Sequence, residues 1–412
     1  MSKTALGHLR ICDFTGQLAG AGATKFMAAF GAQVIRIEDP TRQGRWDILR
    51  GIPPYPDHRH GLNLGGAFNN HNVEKLGITL NLKDERGREL LRELIQISDV
   101  VSENFAAGVL KRLGFDYDEM KRLKEDIIYV SNCGFGHTGP YAGYKTWGPI
   151  VQATSGLTFS NGLPGEESAG YGYSYMDHTG AYFMAMAIML AIRHRNQTGE
   201  GQWVDVAATE AAATLTGPAM LDYTVNGRAL RRDGFPDANH SQFPPMAPHN
   251  IYQAAGEDEW VAIACRHEAD WAAIRGVVAE DWVDGASFAS LDGRLANQTD
   301  LDAKMTAWTL QHDKFGTAKS LQAMGVPASA VQRPGERIDQ DANTADWDLW
   351  PTVRHSEMGD VRVDGVGAHL SETDWSIAHG APVLGQHNRY VLQGMLGLDD
   401  ARFEELAAEG VI

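Results

Sequence analysis

The chain has 412 residues, 43% of them hydrophobic and 22% charged, which is the balance of an ordinary globular protein and excludes a disordered or disulfide-stapled one. With 36 Lys and Arg against 53 Asp and Glu the formal charge is −17; such a surface repels nucleic-acid backbones and anionic lipid, so neither is expected as a partner. Any anionic ligand must therefore meet a local basic pocket. The length points to two or three compact units. Cys12, Cys133 and Cys265 are too widely spaced for a disulfide framework or a CxxC metal pair. The stretch MSKTALGHLRICDF lacks a secretory apolar core, and nothing approaches the roughly 18 apolar residues of a membrane span, so a cytoplasmic setting is expected.

The predicted elements alternate from the start. HLRICDF reads as a strand, AGAGATKFMAAFG as a small-residue helix ended by Gly31, and AQVIRIED as a second strand. The helix ERGRELLRELIQIS then precedes the strand DVVSEN, and EMKRLKED leads into the strand IIYVSNCGF. Strands alternating with helices predict an α/β fold with a mostly parallel sheet covered on both faces. Residues 157–173, GLTFSNGLPGEESAGYG, form a glycine-rich loop before GAYFMAMAIMLAIRHRN, a helix apolar on nearly every face and so expected to be buried. QWVDVAA follows as another buried strand. Between about 225 and 250 the composition shifts to Pro, Asn, Asp and charge, which marks a domain boundary. Beyond it WVAIAC is a strand, HEADWAAIRGVV and KFGTAKSLQAM are helices, and the tail from 335 is turn-rich up to APVLGQHNRYVLQGMLG.

Local motifs exclude several chemistries. AGAGA at 19–23 follows a strand and opens a helix, but lacks the GxGxxG order; with Glu38 and Asp39 the only acids near a ribose position, close helix packing is the better reading. GxxxxGK[ST], HExxH and GxSxG are absent from the sequence. His58, His60 and His71 have no ligand spacing and read as a solvated loop.

Six segments in fixed order rise above this background: RICDFTGQLAGAGATKFMAAFGAQVIRIEDP, EKLGITLNLKDERGRELL, DVVSENFAAGVLKRLG, GFGHTGPYAGYKTWG, YSYMDHTGAYFMAMAIMLAIRHRNQTGEGQWVDVA and APVLGQHN. Together they resemble the family III CoA-transferases, the group of formyl-CoA and carnitine CoA-transferases, over residues 8–220 and again over 380–397. The resemblance implies a large Rossmann-like domain with a parallel sheet plus a smaller α/β domain, in an interlocked dimer. It implies residues 1–224 as the N-terminal part of the large CoA-binding domain, 225–335 as the small domain, and 336–412 as a linker and C-terminal segment returning to the large one.

The family's nucleophile is an aspartate at a helix start, which falls on Asp177 in YMDHTGA. A carboxylate there is held by free backbone N–H groups and the helix dipole; the plainer alternative is a capping role through the N–H groups of Thr179 and Gly180. As nucleophile it attacks a thioester to give a mixed anhydride and then an aspartyl-CoA thioester, chemistry that asks for no metal or redox cofactor, coenzyme A thioester being the substrate. The family's CoA contacts fall on Gln17 and Leu18, Leu80 and Lys83, Asn104 and Phe105, Arg112, and Lys145 with Trp147, and Lys75 joins them in an NxxK-like position. Departures are visible. Asp39 stands where an arginine is common, which moves the adenine-end charge to Arg36, Arg42 or Arg45, and PPMAPHN at 244–250 replaces the glycine loop of formyl-CoA transferase. Related α-methylacyl-CoA racemases carry a catalytic histidine where this chain has Pro149, leaving His178 as the nearest substitute base.

The resemblance implies transfer of CoA from an acyl-CoA, with succinyl-CoA one candidate donor, to a carboxylic acid. Trp147, Tyr171, Tyr173 and Tyr175 suit a bulky or aromatic acceptor. A homodimer or a hetero-oligomer with a related subunit is expected. A racemase-like enzyme and a non-catalytic subunit are the alternatives.

Overall fold

The computed structural model describes residues 4–162, 166–170, 174–229 and 239–412. Six strands, β1 (Arg10–Asp13), β2 (Gln33–Glu38), β3 (Leu76–Thr79), β4 (Val100–Glu103), β5 (Ile128–Cys133) and β6 (Trp203–Ala207), pair in parallel in the order β3-β2-β1-β4-β5-β6. The expected α/β class is therefore present. LGIT, read only as part of a longer motif, is the sixth strand; four residues are too few for a strand period to show.

Alternation along the strands feeds two cores. Ile11, Val34, Val100 and Ile128 point to one face, under α1 (Ala21–Ala29) and the long helix Tyr175–Thr198. Cys12, Ile35, Val101 and Tyr129 point to the other, where Leu91 and Leu94 of helix Glu85–Gln96 and Phe403 and Leu406 of the C-terminal helix cover them. The AGAGA stretch serves packing: a Cβ on Gly22 would lie 3.2 Å from Ala181 Cβ, so the bare glycine lets α1 approach the long helix closely.

Two expectations fail. The long helix is not buried all round, because Tyr182, Met186, Met189 and Leu190 are exposed while Met184, Ala185 and Ile188 face the core. β6 ends the sheet, and its residues are intermediate or exposed, since an edge strand is covered less than a central one. At the opposite edge, β3 is sealed by the APVLGQHN segment. The Gly77 N–H donates to His387 Nδ1 (3.0 Å), the His387 N–H returns to the Gly77 carbonyl (2.9 Å), and the Thr79 N–H donates to Asn388 Oδ1 (2.9 Å). This satisfies backbone groups that an open edge would leave unpaired.

The chain divides into two compact units. Met1–Thr158, Gly170–Gly217 and Ala342–Ile412 make the unit just described. Phe159–Ala169 and Pro218–Asp341 make the other, in which strands His249–Gln253, Trp260–Ala264 and Ala328–Ala330 form an antiparallel sheet. Its core gathers Trp271, Ile274, Leu301, Met305, Trp308 and Leu321. Among the described residues no helix is long and apolar enough to cross a membrane.

Within the first unit, Asp13, Arg36, Glu38, Asp47, Arg50 and Lys75 are all buried together. Arg36 pairs with Asp47 (2.7 Å), Arg50 Nε donates to Glu38 (2.9 Å), and Lys75 Nζ lies 3.3 Å from Asp13 Oδ2. Burial pushes the Asp13 carboxyl up, but the charges of Lys75 and Arg36 and hydrogen bonds from Thr15 outweigh it and hold it below its ordinary value. Removing one partner strands a dry charge. Lys75→Met should lower the unfolding free energy by about 3–5 kcal/mol in denaturant titration, whereas exposed Lys83→Met should change it by about 0.5 kcal/mol or less.

Candidate active site

The sheet order reverses direction between β1 and β4, and in such sheets the loops that leave the carboxyl ends of the strands diverge to open a crevice. A cavity of about 330 Å³ lies there, walled by Gly16 and Gln17 after β1, Asn104 and Phe105 after β4, Cys133 at the end of β5 with Gly134 after it, and Ala208 after β6. Asp177 enters it from the first turn of the long helix.

The wall after β1 is built tightly. A Cβ on Gly16 would lie 2.5 Å from the Trp46 ring, so only glycine fits. The Gly16 N–H donates to Asn104 Oδ1 (2.7 Å) and Asn104 Nδ2 donates back to the Gly16 carbonyl (2.9 Å). This two-way bridge holds Gln17 in the left-handed region at φ 54°, a conformation a side chain seldom adopts unsupported. Trp46 and Phe105 pack at 5.4 Å between ring centroids beside it.

Asp177 does not cap its helix. Ser174 holds the cap position, and the Asp177 carboxylate has no hydrogen bond or ion pair among the described residues. Burial alone pushes its pKa up to about 6. The other titratable side chains of the wall are Lys145, Tyr144 and Cys133. Burial first, then the nearby Asp205 and Glu103 charges, push the Cys133 thiol up to about 11, so it stays neutral. Lys145 is exposed and has no ion pair among the described residues.

Of the residues singled out in the sequence, the cavity collects Asp177, Gln17, Asn104, Phe105, Lys145 and Trp147. The rest lie outside it. Leu18 packs with Leu49 and Phe68, and Leu80 belongs to the main core. Lys83 and Arg112 are exposed elsewhere, and Tyr175 is exposed at the helix start. Lys75 is not free to meet a phosphate. Its ammonium is spent on Asp13, Thr24 (2.7 Å), Asn72 (3.0 Å) and the Ala21 carbonyl (3.1 Å). Arg36, expected to share the adenine-end charge, is wholly buried on Asp47 and the Thr15 carbonyl. Arg42 faces Asp39 at 3.8 Å on the surface, and Arg45 is exposed. Tyr171 and Tyr173 lie outside the described residues.

Pro149 opens a short helix, Gly148–Thr154, and is not in the cavity wall; His178 is also outside it, its ring 5.7 Å from that of His71. His71 is buried and hydrogen-bonded to the Ala67 carbonyl, which corrects its reading as a loop residue. Among the described residues no group of three or more His, Cys, Asp or Glu is placed to hold a metal. Trp46, Tyr144 and Asn132 were not anticipated. Only fold topology brings them to the wall, since none sits in a recognisable spacing with Asp177.

The sequence profile of CoA-transferase family III matches residues 6–388. The chain belongs to that family. It is a CoA-transferase. It is 29% identical to succinyl-CoA–D-citramalate CoA-transferase of Chloroflexus aurantiacus over 99% of this chain and 98% of that one. It is 33% identical to acetyl-CoA:oxalate CoA-transferase of Acetobacter aceti over 74% of each. A CaiB/BaiF family protein from Brucella suis has a similar crystal structure, with a TM-score of 0.85, 25% identity, and coverage of 95% of this chain and 100% of that one.

Lys145 is the one cationic side chain among the described wall residues. Lys145→Ala should raise the KM for an acyl-CoA by about tenfold at low ionic strength, and less in high salt, with kcat little changed, because a charge-assisted contact remote from the carbonyl serves uniform binding. An unchanged KM in steady-state assays would take Lys145 out of the path of CoA.

Proposed function

We propose that this enzyme carries CoA from an acyl-CoA, with succinyl-CoA the first donor to test, to a carboxylic acid, through covalent intermediates on Asp177. The observation that carries this reading is the half-buried Asp177 carboxylate, without a hydrogen bond or ion pair among the described residues, in a cavity at the carboxyl ends of the strands. A carboxylate without a cation partner keeps its electron pair available for attack.

The route uses this chain's own groups. Asp177 attacks the thioester carbonyl, the C–S bond breaks, and a mixed anhydride and CoA thiolate result. The thiolate then attacks the aspartyl carbonyl of the anhydride, releasing the donor as its carboxylate and leaving an aspartyl-CoA thioester. The acceptor carboxylate attacks that thioester, expelling the thiolate and forming a second anhydride. Attack of the thiolate on the acceptor carbonyl completes acceptor-CoA and restores Asp177. No step consumes a proton, a metal or a redox equivalent. Each tetrahedral oxyanion needs a donor. Of the three side-chain amides of the wall, Asn104 is spent on Gly16 and Asn132 Nδ2 on the Ala19 and Gly180 carbonyls, and we assign the task to the Gln17 amide.

Trp46, Phe105, Tyr144 and Trp147 give the cavity aromatic walls, which supports an acceptor with an apolar or aromatic body. The exposed Tyr182, Met186, Met189 and Leu190 support assembly, as a homodimer or with a related subunit, since so much apolar surface on one helix favours a covering partner. An intact, accessible Asp177 favours a catalytic subunit over a structural one.

Asp177→Ala should keep the fold and abolish transfer, and rates within about tenfold of wild type would sink the mechanism. In the wild type, kcat should rise with pH through about 6, because the carboxylate must be ionised to attack. Hydroxylamine added after an acyl-CoA should convert Asp177 to a hydroxamate visible by peptide mass spectrometry. A separate experiment reads the reaction type. A chiral 2-methylacyl-CoA incubated in deuterated water should pass CoA to an added acid and gain no α-deuterium, and enzyme-dependent labelling would assign racemisation instead.

A further inference from the structure

Ile128, Val130 and Asn132 alternate along β5 and so share one face of the sheet. The first two belong to the apolar core under α1 and the helix Tyr175–Thr198. Asn132, only 1% exposed, continues the row into the wall of the cavity. An amide NH2 carries two donors, and Asn132 Nδ2 gives to the Ala19 carbonyl and to the Gly180 carbonyl, each at 3.3 Å. Its Oδ1 is buried and has no hydrogen-bond partner among the described residues. Turning the amide over would set Oδ1 against two carbonyl oxygens, acceptor against acceptor, so the two neighbours fix its orientation.

Packing alone would not choose this residue. A buried oxygen without a donor forfeits the hydrogen bonds it makes to water in the unfolded chain, and asparagine is disfavoured in strands. Valine would continue the row at less cost. What an apolar side chain lacks is the means to tie together the two elements on which the site depends. Ala19 lies two residues after Gln17, in the loop that leaves β1, and Gly180 lies three residues after Asp177, on the long helix. Gln17, Ala19 and Asp177 all belong to the cavity wall. β5 is paired on both sides, with β4 and with β6, so the side chain that joins them stands on a rigid base.

We propose that Asn132 is a positioning residue, which sets the spacing between the β1 loop and the turn that carries Asp177, and that its unpaired oxygen is retained for the sake of that bridge. The inference rests on the reading of Asp177 as nucleophile and goes beyond it by naming the residue that holds the nucleophile against the opposite wall. During attack the thioester carbon must come within bonding reach of Asp177 while its oxygen meets a donor on the β1 loop. An error in the spacing of those two elements is felt in the covalent steps. The CoA arm, held elsewhere along the wall, binds as before.

Two variants test this: Asn132→Val, which puts a strand-favoured apolar side chain in the row, and Asn132→Thr, which keeps one donor. In Asn132→Val the kcat of CoA transfer should fall by about tenfold or more. The Kd for S-methyl coenzyme A, a thioether with no carbonyl to attack, should stay within about threefold of wild type by calorimetry. The melting temperature should rise or stay within about 3 °C, because the unpaired oxygen has gone. Asn132→Thr should recover about threefold or more of the lost rate. Hydrogen exchange over residues 19–24 and 179–184, measured without substrate, should quicken in Asn132→Val. Wild-type kcat, unaltered exchange, or a threonine variant no faster than the valine one would each overturn the proposal. A Kd that rose in step with the loss of kcat would make Asn132 a binding residue, and a melting temperature that collapsed with the rate would make it a plain core residue; either result overturns it. Asp177→Ala keeps the two readings apart. If that variant retained transfer, the nucleophile reading would fail, and exchange in Asn132→Val would still decide whether Asn132 holds the two turns together.

Discussion

The set of three acids and three bases buried under the carboxyl ends of β1 and β2 is the constraint on which the cavity depends. Desolvating a charge costs several kcal/mol, so Asp13, Arg36, Glu38, Asp47, Arg50 and Lys75 are tolerable only together, and each fixes the others. Their positions then dictate the wall. Arg36 donates to the Thr15 carbonyl, one residue before Gly16, and its guanidinium lies 5.1 Å from the centre of the Trp46 ring. Ser102, next to Glu103, adds its hydroxyl to Asp13 at 2.9 Å. The loops after β1 and β4 are thus anchored to the same charges. A hydrophobic replacement of the set could match its stability, but would give up the directional bonds that place Thr15 and Trp46.

Much of the framework was legible because it obeys simple periods. Ile11 against Cys12, Val34 against Ile35 and Val100 against Val101 serve opposite faces, as strands buried on both sides require. What failed to show has physical reasons. The helix Tyr175–Thr198 is apolar around most of its circumference, and periodicity cannot say whether an apolar face meets the core or is left exposed. Gly77 and Thr79 are strand residues whose pairing partners, His387 and Asn388, lie some three hundred positions on, beyond any local pattern.

The site divides along the same line. Motifs led to Asp177, Gln17, Asn104, Phe105, Lys145 and Trp147, which the topology gathers round one cavity. Charge alone misled at Lys75 and Arg36, because a basic residue in a motif looks the same whether it waits for a phosphate or neutralises an internal carboxylate. One available signal went unused. A strand as apolar as DVVSEN that carries Glu103 into its buried end demands a partner for that carboxylate, and the Tyr129 hydroxyl and the Phe105 N–H are those partners.

Separation of the cavity's cation from its acid follows from these placements. The protein as a whole is acidic, yet Asp177 shares its cavity with Lys145 and has no ion pair among the described residues. Had the lysine met the aspartate, the attraction would have lowered the carboxylate's pKa and tied up its electron pair. Burial without a counter-charge does the opposite, raising the pKa to about 6 and leaving an ionised but poorly solvated carboxylate at neutral pH. The same arrangement leaves Lys145 without an ion pair among the described residues, so a strongly negative protein still presents a positive charge in the wall of the site. Both conditions hold at once because Lys145 and Asp177 enter the cavity from different elements, the loop after β5 and the first turn of the helix Tyr175–Thr198.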